Sequence, residues 1–253
     1  TVADLPSMGA DVYQEDVDAT NGYIAVAWLS LATGASWSAY VAILDQATGG
    51  IVRAPELVGT STALAPPLLA VIGNSFVMVR SNTAGTSVEA HILDTTSIAS
   101  INTGWVSIGL PLCADATGGY VVHSLPHASF ARAALLYSNN SGGASRITLV
   151  TFTLAGVDQT QTVNTGGVTP NAYSLGGVAT DTLWLTWNEA TLIRVLGLPP
   201  LAITTTALAS TATIMTMATG CNYLGIVAST TAGRARVWGN DTDAVNRGQM
   251  RGI

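Results

Sequence analysis

Apolar residues in this chain come in short, nearly uninterrupted runs that are separated by small polar loops. Between Gly22 and Val52, apolar runs at 23–29 and 40–45 are joined by a Gly/Ala/Ser/Thr loop and followed by an Ala-Thr-Gly-Gly turn. Runs of roughly 4 to 8 β-forming residues with such boundaries are typical of β-hairpins. The pattern therefore predicts antiparallel strands, and no segment keeps a helical period over three turns.

The same hairpin pattern recurs along the chain. The second copy begins at Gly73, and its "AHILD" at 90–94 repeats the "VAILD" at 41–45. The later copies hold paired apolar runs at 120–123 and 133–137, at 182–187 and 192–196, and at 223–228 and 234–238. The repeats follow one another at roughly 50 residues, which is typical of a four-stranded β-propeller blade.

These repeats predict an all-β fold: a β-propeller of about five blade-like repeats, each of roughly 40–60 residues, with very little helix. Continuous apolar runs fit strands that neighbouring blades cover on both faces. We expect residues 1–20 to complete the last blade and close the ring, which would remove exposed sheet edges. The prediction is a single domain over 1–253, either whole or part of a larger chain.

Composition narrows the classes of function. Charged residues make up 9% of the chain and hydrophobic residues 48%, but the longest uncharged stretch, 195–233, is rich in Thr and interrupted by Pro199 and Pro200. We therefore expect no membrane insertion, because a spanning helix needs roughly 20 mostly apolar residues. All nine basic residues are Arg, and the net charge is −6 without a basic stripe. Sequence-specific nucleic-acid binding is not expected, and the lack of Lys excludes Schiff-base chemistry on a lysine.

The two cysteines, Cys113 and Cys221, lie far apart in apolar surroundings and are interpreted as buried thiols. Whether they pair stays open. No basic-then-apolar leader is visible after Thr1, so we expect no secretion signal.

Possible metal sites have simpler explanations. His123 and His127 have the four-residue spacing of zinc ligands on a helix, but Pro126 and the β pattern favour loop histidines without metal. The segments 16–22 and 241–248 both contain D-x-D-x-x-N, which lacks the spacing and the Glu of a helix–loop–helix calcium site. Asx-rich turns explain them as well. We predict no metal and no cofactor.

Catalytic motifs are also sparse. There is no G-x-S-x-G nucleophile turn. Glycoside hydrolysis needs two carboxyl groups about 5–9 Å apart, and Glu189, at a strand end, is the first candidate for that chemistry. His91 alternates with Glu89 on the more polar face of its strand, and this arrangement is interpreted as a cross-strand surface pair. We assign no catalytic residue and predict that the protein is not an enzyme.

The six Trp residues are candidate platforms for sugar rings. Trp184 and Trp187 fall on opposite faces of one strand, so at least one of them belongs to the core. Trp28 lies in a run that we expect to be covered on both faces. Trp105, in a loop-like stretch, is the one we expect to be exposed, and it is the tentative ligand-contact residue.

Several segments, "GYIAVAWL", "YVAILDQATGGIV", "GNSFVMVRS" and "VEAHILDTT", resemble the propeller portion of tail nozzle (tail tubular protein B-like) proteins of short-tailed bacteriophages. In that family, strand–loop–strand units end in an LD-x-ATG turn. The resemblance covers nearly the whole chain, although nozzle proteins are much larger and carry further domains.

The resemblance implies a non-enzymatic virion structural protein. Such a protein assembles in a ring around the DNA-exit channel or carries receptor-binding parts. The implied partners are further copies of the chain and other tail proteins, and the implied location is the phage tail of the virion. The alternatives are a carbohydrate-binding, lectin-like propeller and a propeller glycoside hydrolase.

Overall fold

The computed structural model describes residues 12–31, 37–61, 67–81, 87–97, 106–107, 113–114, 120–127, 130–139, 146–164, 170, 172–177, 183–198, 213–216, 221–228, 234–241 and 248–252. Within these ranges the chain forms β-strands and one 3-10 helix, Thr95–Ser97. None of the described segments is a helix long and apolar enough to cross a membrane.

The strands are β1 Val12–Thr20, β2 Tyr23–Leu31, β3 Trp37–Asp45, β4 Ile51–Ser61, β5 Leu68–Ile72, β6 Ser75–Ser81, β7 Ser87–Asp94, β8 Val106–Ser107, β9 Cys113–Ala114, β10 Tyr120–His127, β11 Phe130–Asn139, β12 Arg146–Thr153, β13 Gly156–Asn164, β14 Tyr173–Gly177, β15 Leu183–Glu189, β16 Leu192–Leu198, β17 Thr213–Thr216, β18 Cys221–Ala228, β19 Ala235–Asp241 and β20 Gly248–Gly252.

These strands form five sheets in chain order. Sheet 1 is β1–β4, sheet 2 is β5–β8 with β9 paired to β7, sheet 3 is β10–β13, sheet 4 is β14–β17 and sheet 5 is β18–β20. Apart from β9, neighbours in the chain are neighbours in each sheet, which is the strand order of a propeller blade. The fold is all-β and of the β-propeller class with five blade-like repeats, as the sequence predicts.

The chain divides into two compact units. The first holds sheets 1 and 2, and its core joins small residues of sheet 1, such as Ala25 and Ala27, to Phe76 and Met78 of sheet 2. Strand β1 lies against β5, so the first strands of these two sheets are neighbours. Full burial of a side chain such as Phe76 stabilises the fold by about 1.5–3 kcal/mol.

In the second unit, sheet 4 is covered on both faces. Leu185 and Trp187 pack against residues of sheet 3, whereas Trp184 packs with residues of sheet 5 such as Ile226 and Val237. Every residue of β15 is buried. The prediction that at least one of the two Trp residues is core is confirmed, and continuous apolar runs do mark doubly covered strands; Trp28 of sheet 1 is buried as well.

The N-terminal segment differs from the prediction. Strand β1 pairs with β2 of its own sheet, with Thr20 opposite Tyr23, instead of completing the last sheet. The two residues between the strands, Asn21 and Gly22, have φ values of 50° and 82°. Positive φ at both positions is what a type I′ hairpin turn requires, and Asn-Gly is its preferred sequence. A two-residue loop of this kind commits β1 to the adjacent strand.

The repeated Leu-Asp motif ends the third strand in each of the first two sheets. The carboxylate of Asp45 accepts hydrogen bonds from the N–H and hydroxyl of Thr48, both at 2.7 Å. Asp94 accepts the equivalent pair from Thr96, at 2.9 and 2.8 Å. The Asp side chain therefore satisfies backbone donors where the sheet can no longer do so.

Candidate functional site

Two carboxyl groups lie on one face of β1. Asp16 and Asp18 are both half-buried, whereas Val17 between them is exposed. Alternate residues of a strand point to the same face, and their α-carbons are about 6.6 Å apart. The pair therefore forms a local acidic site on the first strand of sheet 1.

Asp16 also contacts sheet 2. Its Oδ2 accepts a 2.7 Å hydrogen bond from the backbone N–H of Leu69 on β5, and its Oδ1 accepts one of 3.0 Å from the N–H of Val17. Burial raises the pKa of the Asp16 carboxyl, and the nearby charge of Asp18 adds to this effect. The two backbone donors oppose the shift because they stabilise the carboxylate.

Two carboxyl groups in different environments can divide the roles of acid and base. A carboxyl group whose pKa is raised keeps its proton to a higher pH and can act as the acid. Glycoside hydrolysis uses two carboxyl groups that flank the scissile bond.

The sequence analysis treated this segment as an Asx-rich turn. The structure assigns Asp16 and Asp18 to a strand and only Asn21 and Gly22 to the turn. The Asp-x-Asp spacing directly before an Asn-Gly hairpin was the signal that could have identified a pair on one strand face. Among the described residues, no group of three or more His, Cys, Asp or Glu side chains could hold a metal ion.

Glu189, the first sequence candidate for glycoside hydrolysis, is buried, and both of its carboxylate oxygens accept hydrogen bonds. Its Oε1 accepts a 3.1 Å hydrogen bond from Nε1 of Trp187, and its Oε2 accepts one of 2.8 Å from Nε of Arg194. Both donors stabilise the charged carboxylate, and Arg194 forms an ion pair with it across the β15–β16 hairpin. This geometry is that of a structural ion pair.

His91 and Glu89 lie on one face of β7, but they are not at the surface as predicted. Both are half-buried, with Arg80 of β6 directly opposite Glu89. Oε2 of Glu89 lies 3.5 Å from Nη2 of Arg80 and 3.6 Å from Nε2 of His91. Burial lowers the pKa of His91, the charge of Arg80 lowers it further, and Glu89 opposes both.

The other residues singled out in the sequence are dispersed. His123 and His127 lie on strand β10 and not in a loop. Cys221 is buried, and its thiol donates to the Tyr223 carbonyl at 3.0 Å. Trp105 and residues 242–247 lie outside the described residues. Trp238, which the sequence analysis did not single out as a contact residue, is an exposed Trp.

No family model and no curated protein matches this sequence. Solved structures of similar fold include hydrazine synthase from Kuenenia stuttgartiensis, at 8% identity and a TM-score of 0.55 over 95% of this chain and 84% of that chain. The acylaminoacyl peptidase of Pyrococcus horikoshii matches at 6% identity and a TM-score of 0.57 over 96% of this chain. This chain spans only 38% of the peptidase. A thermostable family-43 glycoside hydrolase matches at 10% identity and a TM-score of 0.47, over 95% of this chain and 88% of that chain.

These matches establish the fold and contradict the predicted function. The two with TM-scores above 0.5, the hydrazine synthase and the acylaminoacyl peptidase, are enzymes, and neither is a phage tail protein. The prediction of a non-enzymatic virion structural protein is therefore corrected, whereas the resemblance to tail nozzle proteins is untested and stays a prediction. Apolar hairpins with Asp-Thr turns arise from the physics of propeller blades, so they do not identify one family. The predicted homo-oligomer stays a prediction.

Proposed function

We propose that this protein is a glycoside hydrolase built on a β-propeller, with Asp16 as the general acid and Asp18 as the general base. The observation that carries the proposal is the pair of half-buried carboxyl groups on one face of β1, beside β5. The overall likeness to enzymes of this fold is compatible with it and supplies no residue roles.

Asp16 suits the acid because burial favours its neutral form. Each carboxyl oxygen has two lone pairs, so the hydrogen bonds from Leu69 and Val17 fix the orientation of the group and leave a position for the proton. Asp16 donates that proton to the glycosidic oxygen as the bond from this oxygen to the anomeric carbon breaks.

Asp18 then acts on water. As a carboxylate it accepts a proton from the water molecule whose oxygen attacks the anomeric carbon from the opposite side. In this proposal water attacks directly: the α-carbons of Asp16 and Asp18 are about 6.6 Å apart, and inverting enzymes keep their carboxyl groups roughly 6.5–9.5 Å apart to admit that water. The proposed reaction therefore releases a sugar with inverted anomeric configuration.

The test uses a panel of aryl glycosides with Asp16→Asn and Asp18→Asn, and with Asp94→Asn, an exposed turn residue, as control. We expect each site variant to lower kcat/KM by roughly 100-fold or more, because general acid–base catalysis contributes about 10²–10⁴-fold. The control should stay within about twofold of the wild type, since Asp94 lies at a strand end and contacts only its own turn.

The leaving group separates the two roles. A dinitrophenyl leaving group needs little protonation, so it should restore activity to Asp16→Asn but not to Asp18→Asn. A loss of activity that is the same for all leaving groups would indicate misfolding instead of a missing acid. Equal rates for the wild type and both site variants would refute the proposal.

A further inference from the structure

One face of sheet 5 is apolar and exposed. Tyr223 and Val227 of β18 and Trp238 of β19 are 75%, 54% and 42% exposed. The opposite face, with Ile226 and Val237, packs in the core shared with sheet 4. Large apolar side chains grouped on a surface mark a binding site more often than single exposed ones do.

Trp238 lies flat on this face because its cross-strand partner is a glycine. Gly225 is directly opposite Trp238, and a β-carbon at Gly225 would come within 2.1 Å of Cε2 and Cζ2 of the indole. Only glycine therefore admits the ring at this position. One side of the indole covers the backbone of Gly225, and Tyr223 and Val227 flank that glycine on the same side of β18.

Two cations share the face. Arg234 and Arg236 are exposed, and they alternate with the buried residues Ala235 and Val237. Arg236 is two residues from Trp238, about 6.6 Å along the strand, which is comparable to the length of one sugar unit. A guanidinium binds a carboxylate through two parallel hydrogen bonds. The positive charge is local, because the chain as a whole carries a net charge of −6.

We propose that this face, which we call the sheet 5 platform and define by Tyr223, Trp238, Arg234 and Arg236, binds an acidic polysaccharide containing uronate sugars. The apolar face of one sugar ring packs on the uncovered side of Trp238, and an arginine pairs with the carboxylate of the same or the next sugar. Two guanidinium groups are too few for a nucleic acid, whose binding depends on neutralising many phosphates. The platform is independent of the proposed hydrolysis.

The test is isothermal titration calorimetry with hexagalacturonate, with its fully methyl-esterified form as the uncharged comparison. All variants are made in the Asp16→Asn background, so hydrolysis does not consume the ligand and a failed catalytic proposal leaves the result intact. Trp238→Ala and Arg236→Gln test the platform. Tyr223→Ala is a second aromatic variant in case Trp238→Ala fails to fold. Leu57→Ala, an exposed apolar change on β4, is the matched control.

We expect binding of the acid form to weaken roughly tenfold in Trp238→Ala, as for an aromatic residue that anchors a ligand. Tyr223→Ala should weaken it in the same direction, and Leu57→Ala should not. Arg236→Gln should remove the preference for the acid over the ester. Three results would each overturn the proposal: no binding of hexagalacturonate, binding that all the variants leave unchanged, or tighter binding of an oligothymidylate of equal charge. A dimer in solution that Trp238→Ala dissociates, without saccharide binding, would assign the face to a second copy and would also overturn it.

Discussion

The carboxylate of Asp16 on β1 accepts a hydrogen bond of 2.7 Å from the backbone N–H of Leu69 on β5. This bond joins the first strands of two consecutive sheets, and each strand belongs to a different antiparallel ladder. The side chain thus satisfies a backbone donor at the junction between blades, where no ladder partner is at hand. The same contact positions the carboxyl group that we propose as the acid.

Burial of Asp16 makes the stability of the protein depend on pH. Because the folded-state pKa is raised above its ordinary value of 3.8, the contribution of Asp16 to stability is fully present below that value and is lost as the pH rises through the folded pKa. The free energy of unfolding of the wild type should therefore fall relative to that of Asp16→Asn as the pH is raised from 3.8. Urea unfolding of both proteins across this range measures the difference. A difference that does not change with pH would contradict the prediction.

His91 should have the opposite dependence. Its folded-state pKa is lowered from 6.5, so its contribution is present above that value and is lost as the pH falls through the folded pKa. The titratable and charged groups in contact with it are Arg80 and Glu89. The stability of the wild type relative to His91→Leu should decrease below pH 6.5. Free energies of unfolding that change in parallel for the two proteins between pH 7 and pH 5 would exclude a role for His91 in the pH dependence of stability.

The ion pair of Glu189 is expected to stabilise the fold and not to catalyse. Glu189→Gln should lower the free energy of unfolding by about 1–3 kcal/mol, since it leaves the half-buried Arg194 without its carboxylate partner. The folded variant should retain the kcat of the wild type. Glu56→Gln is a matched control: its pair with Arg53 is more exposed, so we expect a change below about 1 kcal/mol. Chemical denaturation and kcat are measured on the same samples, and a normal stability with a large loss of kcat would assign Glu189 a catalytic role.

Gly176 allows β14 and β18 to approach closely. A β-carbon at this position would lie 2.7 Å from the backbone oxygen of Ile226, which cannot rotate away as a side chain could. Gly176→Ala should therefore destabilise the protein by about 1–3 kcal/mol, the range for overpacking in a core. Gly50→Ala, in an exposed turn where the nearest atom is the Thr48 hydroxyl oxygen at 3.2 Å, should change the stability far less. Similar midpoints of thermal unfolding for the two variants would contradict this account.

The sequence predicted the sheets better than it predicted how they begin. The apolar run of β15 indicated a doubly covered strand because burial on both faces removes the polar alternation. The start of sheet 1 was predicted wrongly, since residues 1–20 were assigned to the last blade and the segment 16–22 was interpreted as an Asx-rich turn instead of a strand followed by an Asn-Gly hairpin turn. The Asn-Gly sequence was sufficient to predict the hairpin turn, but the segment was interpreted as an Asx-rich turn.

The candidate sites depended on contacts that a sequence does not contain. Nothing in the chain indicates that Leu69 lies beside Asp16, and this contact belongs to the environment that sets the pKa of the carboxyl group. Trp238 was predicted as a strand residue, but neither its position opposite Gly225 nor its exposure could be predicted from the sequence. Glu189 stood out because Glu is rare in the chain, and rarity does not distinguish an ion pair from an acid catalyst.

The Asp–Thr turns of sheets 1 and 2 also bear on how such a chain can grow in evolution. The hydrogen bonds of Asp45 and Asp94 join residues within one turn, and the backbone bonds from Gln46 to Gly22 and from Thr95 to Asn74 return to the first hairpin of the same sheet. A duplicated gene segment that encodes one such sheet would also encode the Asp–Thr turn that ends the third strand. The copy would therefore need no contact with another sheet to end that strand. The matching "VAILD" and "AHILD" end the third strands of the two sheets with the same Asp–Thr turn, so a copied segment would keep the local contacts that end its strand.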